Sequence, residues 1–280
     1  ATPQPHLRLP PHPTSCPQFE SGLRKIRDAI FCNESWGCFP RDHSSQLYFW
    51  TLILMMLNHM ARISLFSILF SPDATTLETP NDSEEWLLEA GSRWPKWFSF
   101  VIDRWKCMNE GKLKRHRVRT DYNPMSSFFC PVRSYVEFCA VSGHAVVILR
   151  EQAISVVTQR RFVPMFPCFA KDGGFDHFTA PPEAFLQQRV SHVLSKAFPE
   201  MAPSPPTPHS IRVVALIWAL RCHCSEHRSK PCGRWFGENL KNWSKYARVG
   251  EAFVEQYFRK GKLDPVFRFF RFTDNFVGEV

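Results

Sequence analysis

The sequence lacks the common signatures of catalysis. It has no G-x-S-x-G elbow, no G-x-G-x-x-G loop, no Walker A loop and no H-E-x-x-H. Those absences remove the best-marked routes to acyl transfer, dinucleotide binding, phosphate cradling and zinc proteolysis. Tyrosine is scarce at 5 and glycine at 12. The 10 cysteines among 280 residues are too dilute and irregular for a small disulfide scaffold. The opening ATPQPHLRLPPHPTSCP starts at Ala1 without a methionine, which fits a removed leader, and it has no apolar run of the kind a secretory signal needs. With 44% hydrophobic and 22% charged residues, the chain is not disordered throughout. Its length suits one large or two ordinary domains.

What is abundant is phenylalanine, 26 residues, with 9 tryptophans and a formal net charge of +9. Such apolar aromatic content either fills a core or leaves adhesive surface for a partner. The charge favours anionic partners such as RNA, acidic lipid head groups or acidic proteins. Three N-x-S sequons, at Asn33, Asn81 and Asn242, permit a lumenal reading.

One stretch is greasy enough to meet a membrane. Residues 47–70 read LYFWTLILMMLNHMARISLFSILF, with Asn58, His59 and Arg62 near the middle. Apolar insertion terms of roughly −4 to −7 kcal/mol almost cancel against a central Arg at about +2.5 to +3.5 and the added cost of Asn and His. The flanks are basic before (Arg24, Lys25, Arg27, Arg41) and acidic after (Asp73, Glu78, Asp82, Glu84, Glu85, Glu89). A membrane-embedded helix and a buried core helix are both open readings.

The expected fold class is α+β, mainly helical, with a small antiparallel sheet near 134–163. Asp82 with Glu85 marks a short helix through Ala90, and Pro95 opens a second, KWFSFVIDRWKCM. The runs YVEFCAV, HAVVILRE and ISVVTQRRFV are rich in β-branched residues, and Ser142-Gly143 separates the first two as a turn. Pro181 and Pro182 introduce a helix striped by Phe185, Val190, Val193, Leu194 and Ala197, with Glu183 and Lys196 matching its dipole. IRVVALIWAL is a buried strand or short helix. NWSKYARVGEAFVEQYFRKGK is an amphipathic helix before a Phe-rich tail. The implied divisions are a Pro-rich basic extension (1–45), the hydrophobic segment (46–70) and an α+β domain (71–200). A stiff proline linker (201–210) and a C-terminal unit (211–280) follow.

Three clusters carry the candidate chemistry. Lys112, Lys114, Arg115, Arg117 and Arg119 crowd one run that suits phosphates of RNA or lipid, or is a solvated loop. Cys222, Cys224, His227 and Cys232 form the second. On a strand, Cys222 and Cys224 share a face, and His227 with Cys232 completes a Cys3His set for structural zinc. A disulfide and free thiols are the alternatives. His227 and Cys232 resemble the His-x4-Cys end of a zinc knuckle, although the leading pair here is Cys-x-Cys. Asp176 and His177 are the third cluster, within the glycine-flexed DGGFDHF. Residues Gly174 to Phe178 resemble the G-x-D-H-F element of exostosin-type glycosyltransferases over about a dozen residues. That resemblance implies sugar transfer in the secretory pathway, with Asp176 and His177 beside a cleft. The plainer reading is a turn with a histidine facing a helix.

The sequence thus favours a non-catalytic accessory or scaffold subunit of a large eukaryotic assembly. An organelle is expected, the mitochondrion ahead of the secretory lumen, with protein subunits as partners and membrane contact through 47–70. Glycosyl transfer and ribosome-associated RNA binding are the alternatives.

Overall fold

A computed structural model describes residues 16–32, 42–67, 97–102, 116–123, 125–148, 150, 163–221, 229–230, 233, 243–244, 247 and 276–279. The chain is mainly helical, with small antiparallel sheets. Helix α1 spans Cys16–Phe31 and α2 spans His43–Asn58. Strands β1 (Trp97–Ile102) and β2 (His116–Asp121) follow, and then α3 (Pro131–Val141). Next come β3 (Cys168–Phe169), β4 (Phe175–Asp176), α4 (Glu183–Ala197), α5 (Pro208–Arg221) and β5 (Phe276–Glu279).

Helix α2 is the axis of the core. Asp42 caps it, its carboxylate accepting from the Ser45 amide at 2.9 Å, and every residue from Leu47 to Asn58 is buried. A helix apolar on all sides must be covered on all sides. Helices α1, α3 and α5 contribute to that cover through Leu23 and Ile26, Tyr135 and Phe138, and Ala215 and Leu216. The helix stops where Met60 takes a left-handed φ of 45°, and only a short 3-10 turn, Ile63–Leu65, follows. Sixteen residues span about 24 Å, short of the roughly 30 Å hydrocarbon layer. Among the described residues no helix is long and apolar enough to cross a membrane. The membrane-embedded expectation for 47–70 therefore has no support here, and the buried-helix reading fits 47–58.

Among the described residues of the segment 134–163, where a sheet was expected, there is no strand. YVEFCAV lies in α3, and residues 144–148 are helical. The helix wins because its start is well built. Pro131 stands in its first turn, and Cys130 Sγ accepts from the Arg133 amide at 3.3 Å. Arg133 and Glu137 pair at 2.8 Å across one turn. Val132, Tyr135, Val136 and Cys139 bury one helical stripe. The Ser142-Gly143 turn is present, with Gly143 at φ 72°, but it joins helix to helix. ISVVTQRRFV lies almost wholly outside the described residues.

The main antiparallel sheet has the order β1-β2-β5. Its first strand occupies the segment expected to be a Pro95-led helix. Phe98 pairs with Thr120 in the ladder and both are fully buried, so that face packs inward. The helix expected from Pro181-Pro182 is present as α4, with Glu183 and Lys196 at its ends and Leu186 added to the buried stripe. IRVVALIWAL resolves as helix within α5. Beyond the proline-rich 201–210, Ile211, Ala215 and Trp218 join the same core as α2. The expected helix through Ala90, the sequons and most of the C-terminal amphipathic helix lie outside the described residues.

Candidate functional site

The third cluster is fully described, and it sits on the β3–β4 hairpin. Cys168 pairs with Asp176 and Phe169 with Phe175. The turn between them needs glycine, because Gly173 has φ 91°. Asp172 accepts from the Gly174 amide at 3.0 Å and Asp176 from the Phe178 amide at 3.2 Å, so each aspartate braces a turn. Phe169 and Phe175 lie 5.0 and 5.9 Å, between ring centroids, from Tyr48 of α2 and anchor the hairpin to the core.

Immediately after β4, His177 meets a residue from outside the cluster. Its Nδ1 lies 2.9 Å from Nδ1 of His144, the first residue of the helical segment 144–148. The two rings are within 19° of parallel, with centroids 5.1 Å apart. The other His144 nitrogen, Nε2, lies 3.0 Å from the Pro164 carbonyl. A carbonyl can only accept, so His144 Nε2 carries the hydrogen, and neutral His144 must then accept at Nδ1. His177 therefore donates from Nδ1, and its Nε2 keeps a free lone pair. Among the described residues nothing bonds that Nε2.

The electrostatics agree with this chain of donors. Burial, and then His177 beside it, push the fully buried His144 down to about 3. Burial also lowers the half-buried His177, with the Asp176 carboxylate acting in the opposite sense. Hydrogen bonds from Thr179 and from the Phe178 amide hold Asp176 below the usual carboxylate range. Burial and then Asp176 raise the Cys168 thiol, so it is not an activated thiolate. The site offers one neutral, oriented imidazole and no nucleophile bonded to it.

Three exposed apolar side chains lie near the pair in the sequence. Val141 is 53% exposed, Val146 60% and Phe178 57%, and each lies within three residues of one of the two histidines. Elsewhere, a cleft between α1, α2, α4 and α5 is lined by Leu23, Ile26, Ile53, Leu57, Leu194 and Phe198 among others. It has room for only about 40 Å³ of water-sized occupants and no ionisable lining, so it suits no sizeable ligand.

The other candidates are placed less fully. Lys112, Lys114 and Arg115 lie outside the described residues. Arg117 and Arg119 occupy alternate positions of β2, opposite Val101 and Ser99, in the register class that Thr120 does not share. Cys222, Cys224, His227 and Cys232 all lie outside the described residues. The strand that would have put Cys222 and Cys224 on one face is replaced upstream by α5, helical to Arg221. Among the described residues no group of three or more His, Cys, Asp or Glu is placed to hold a metal.

Sequence reasoning missed His144. It follows Ser142-Gly143 directly, but its run was read as a strand, and its partner is 33 positions away. The chain matches no protein-family model, and no curated protein is significantly similar to it.

Proposed function

We propose that this chain is a non-catalytic accessory subunit that docks into a larger assembly through the apolar face around His144 and His177. One observation carries the reading. Val141, Val146 and Phe178 stay more than half exposed on a hairpin and a helix turn that the imidazole pair and the Phe169–Phe175–Tyr48 contacts hold firm. Exposed apolar residues grouped on a rigid frame are what a partner covers. The basic charge and aromatic composition support an organelle as the setting, the mitochondrion ahead of the secretory lumen. No membrane helix is needed for it.

Density-gradient sedimentation of a native extract tests the proposal. The wild-type chain should travel with a large particle, and a Val146→Ser/Phe178→Ser variant should fall back to the monomer position. A wild-type chain already at the monomer position would count decisively against it.

An anionic partner, RNA or acidic lipid, is the second reading, supported by Arg117 and Arg119 at alternate positions of β2. Binding of that kind should weaken steeply with added salt, and salt-independent binding would remove it.

A further inference from the structure

A second surface is built by α1 and the residues that lead into α3. Arg24 and Arg27 stand three positions apart on α1 and share a side of it. Each lays its guanidinium on a ring. Arg27 Cζ lies 3.4 Å from the centroid of Phe128, and Arg24 Cζ lies 5.2 Å from that of Phe129. The fold holds both rings in place. The Phe128 carbonyl accepts from Trp50 Nε1 at 2.7 Å, and Phe31 meets Phe128 edge-on at 5.8 Å between centroids. Phe129 is buried against Trp50, whereas Phe128 stays 39% exposed.

Arg27 is held in place but not satisfied. Its planar fork carries five N–H donors. Among the described residues none of them finds a hydrogen-bond acceptor. Nε is buried without a partner, and the Asp28 carboxylate comes only to 3.8 Å from Nη1, too long for a hydrogen bond. The side chain is 31% exposed, and neither Nη is among the buried atoms, so an oxygen from outside can reach that end of the fork. The other cations on this stretch of α1 are engaged. Lys25 pairs with Glu200 at 2.7 Å, and Arg24 has a further contact besides Phe129. One guanidinium with open donors beside the exposed Asp28 suits a single carboxylate, and the Asp28 charge disfavours a polyanion such as RNA.

We propose that this surface binds a segment of a partner protein through one aspartate or glutamate next to an apolar residue. The carboxylate takes two parallel hydrogen bonds from the Nη end of Arg27, and the apolar neighbour lies on the exposed part of Phe128. The ring beneath Arg27 fixes the plane of the fork before binding, which lowers the ordering cost of a two-point contact. A lysine at the same position would offer the charge without that plane. The surface is separate from the one near His144 and His177, so sedimentation decides that reading and a peptide titration decides this one.

The probes are two capped peptides, acetyl-ALELA-amide and acetyl-ALQLA-amide, alike in shape but differing in one charge. Titrations of the full chain at neutral pH and low salt are followed at the Arg27 Nε–H and Phe128 ring resonances. The glutamate peptide should bind roughly three- to tenfold tighter than the glutamine peptide. In Arg27→Lys, which keeps the charge and gives up the fork, the preference should fall below about twofold. Phe128→Leu keeps an apolar side chain but removes the ring under the guanidinium, and it too should reduce the preference; it decides the matter if Arg27→Lys does not fold. Equal binding of the two peptides to the wild-type chain overturns the inference, as does a failure of both to move either resonance. A preference that persists undiminished in a folded variant assigns the carboxylate to other groups and overturns it as well. Oligouridylate displacing the glutamate peptide at lower concentration would make the surface a nucleic-acid site and overturn the protein occupant.

Discussion

Two regions of this molecule treat aromatic and polar groups in opposite ways. Along α2, Tyr48 is fully buried and has Phe49, Phe138, Phe166, Phe169 and Phe175 within 5.0 to 5.9 Å between ring centroids. Polar groups there are spent inside the fold. Thr51 meets Ser134 at 2.7 Å, Trp50 donates to the Phe128 carbonyl at 2.7 Å, and His59 meets Thr120 at 2.7 Å. On the β3–β4 hairpin, Phe175 points into the core while Phe178, three residues on, is 57% exposed. His177 there commits one ring nitrogen and keeps the other. The difference separates residues that stabilise the fold from residues left for use. Along α2, Trp50, Thr51 and His59 find their partners inside the fold, whereas at the hairpin the bonding found among the described residues stops halfway through one imidazole ring.

The sharpest way to break that contrast is at its centre. Tyr48→Ala should cost about 3 to 5 kcal/mol, because a large ring leaves a cavity that its five neighbours cannot collapse to fill. Tyr48→Phe should be neutral or stabilising by up to about 2 kcal/mol, since the buried hydroxyl has no hydrogen-bond partner among the described residues. Denaturant midpoints of the two variants check both signs. A large loss for Tyr48→Phe would show that the hydroxyl is bonded after all.

Next in size is the response to acid. The folded chain holds His144 at about 3, well below its ordinary 6.5. Between those values the unfolded chain binds a proton that the folded chain refuses, so stability rises with pH across the window. This contribution is complete above about pH 6.5 and is lost as pH falls toward 3, a change on the order of 4 kcal/mol. His177 and His192, both also lowered, act in the same direction. Denaturation at a series of pH values should show the decline, and His144→Phe should flatten it. An equally steep curve in that variant would assign the acid sensitivity to other groups.

How much of this was legible in sequence depends on the length of the signal. Helix α4 was readable because its apolar stripe persists for 15 residues behind Pro181 and Pro182, with Glu183 and Lys196 confirming both ends. The apolar run from Leu47 announced a helix, but not that it would end at Asn58, where the left-handed Met60 ends it. Helix α3 and strand β1 were exchanged in type for one reason. WFSFVI and YVEFCAV are both short, aromatic and β-branched, and periodicity cannot separate strand from buried helix over six or seven residues. Tertiary partners decided each case, a ladder with β2 for one and a cap plus a stripe against α2 for the other. The site was half legible for a similar cause. Asp176 and His177 stood out beside their glycines. His144 did not, because only the folded chain brings together two histidines 33 residues apart.

A smaller effect sharpens the α2 side. Asp42 accepts from both the Ser44 hydroxyl at 2.6 Å and the Ser45 amide at 2.9 Å, and it closes the first turn of a helix with no acidic residue of its own there. Asp42→Ala should cost about 1 kcal/mol, and Asp42→Asn should recover most of it because the amide oxygen still accepts. Thermal melts of the pair would distinguish a hydrogen-bonded cap from a charge effect, since loss in both variants would point to the charge.

The smallest expected change in stability falls where the proposal for function is strongest. Phe178 is more than half exposed and follows a turn already braced by Asp176, so Phe178→Ser removes little buried apolar area and should alter stability by less than about 0.5 kcal/mol. The same substitution takes away the largest of the exposed apolar side chains on which the docking proposal rests. A variant that melts like the parent and still leaves the large particle would separate the two kinds of residue in a single experiment. If Phe178→Ser instead destabilised the fold by as much as a core truncation, its ring would be part of the core, and the contrast with α2 would disappear.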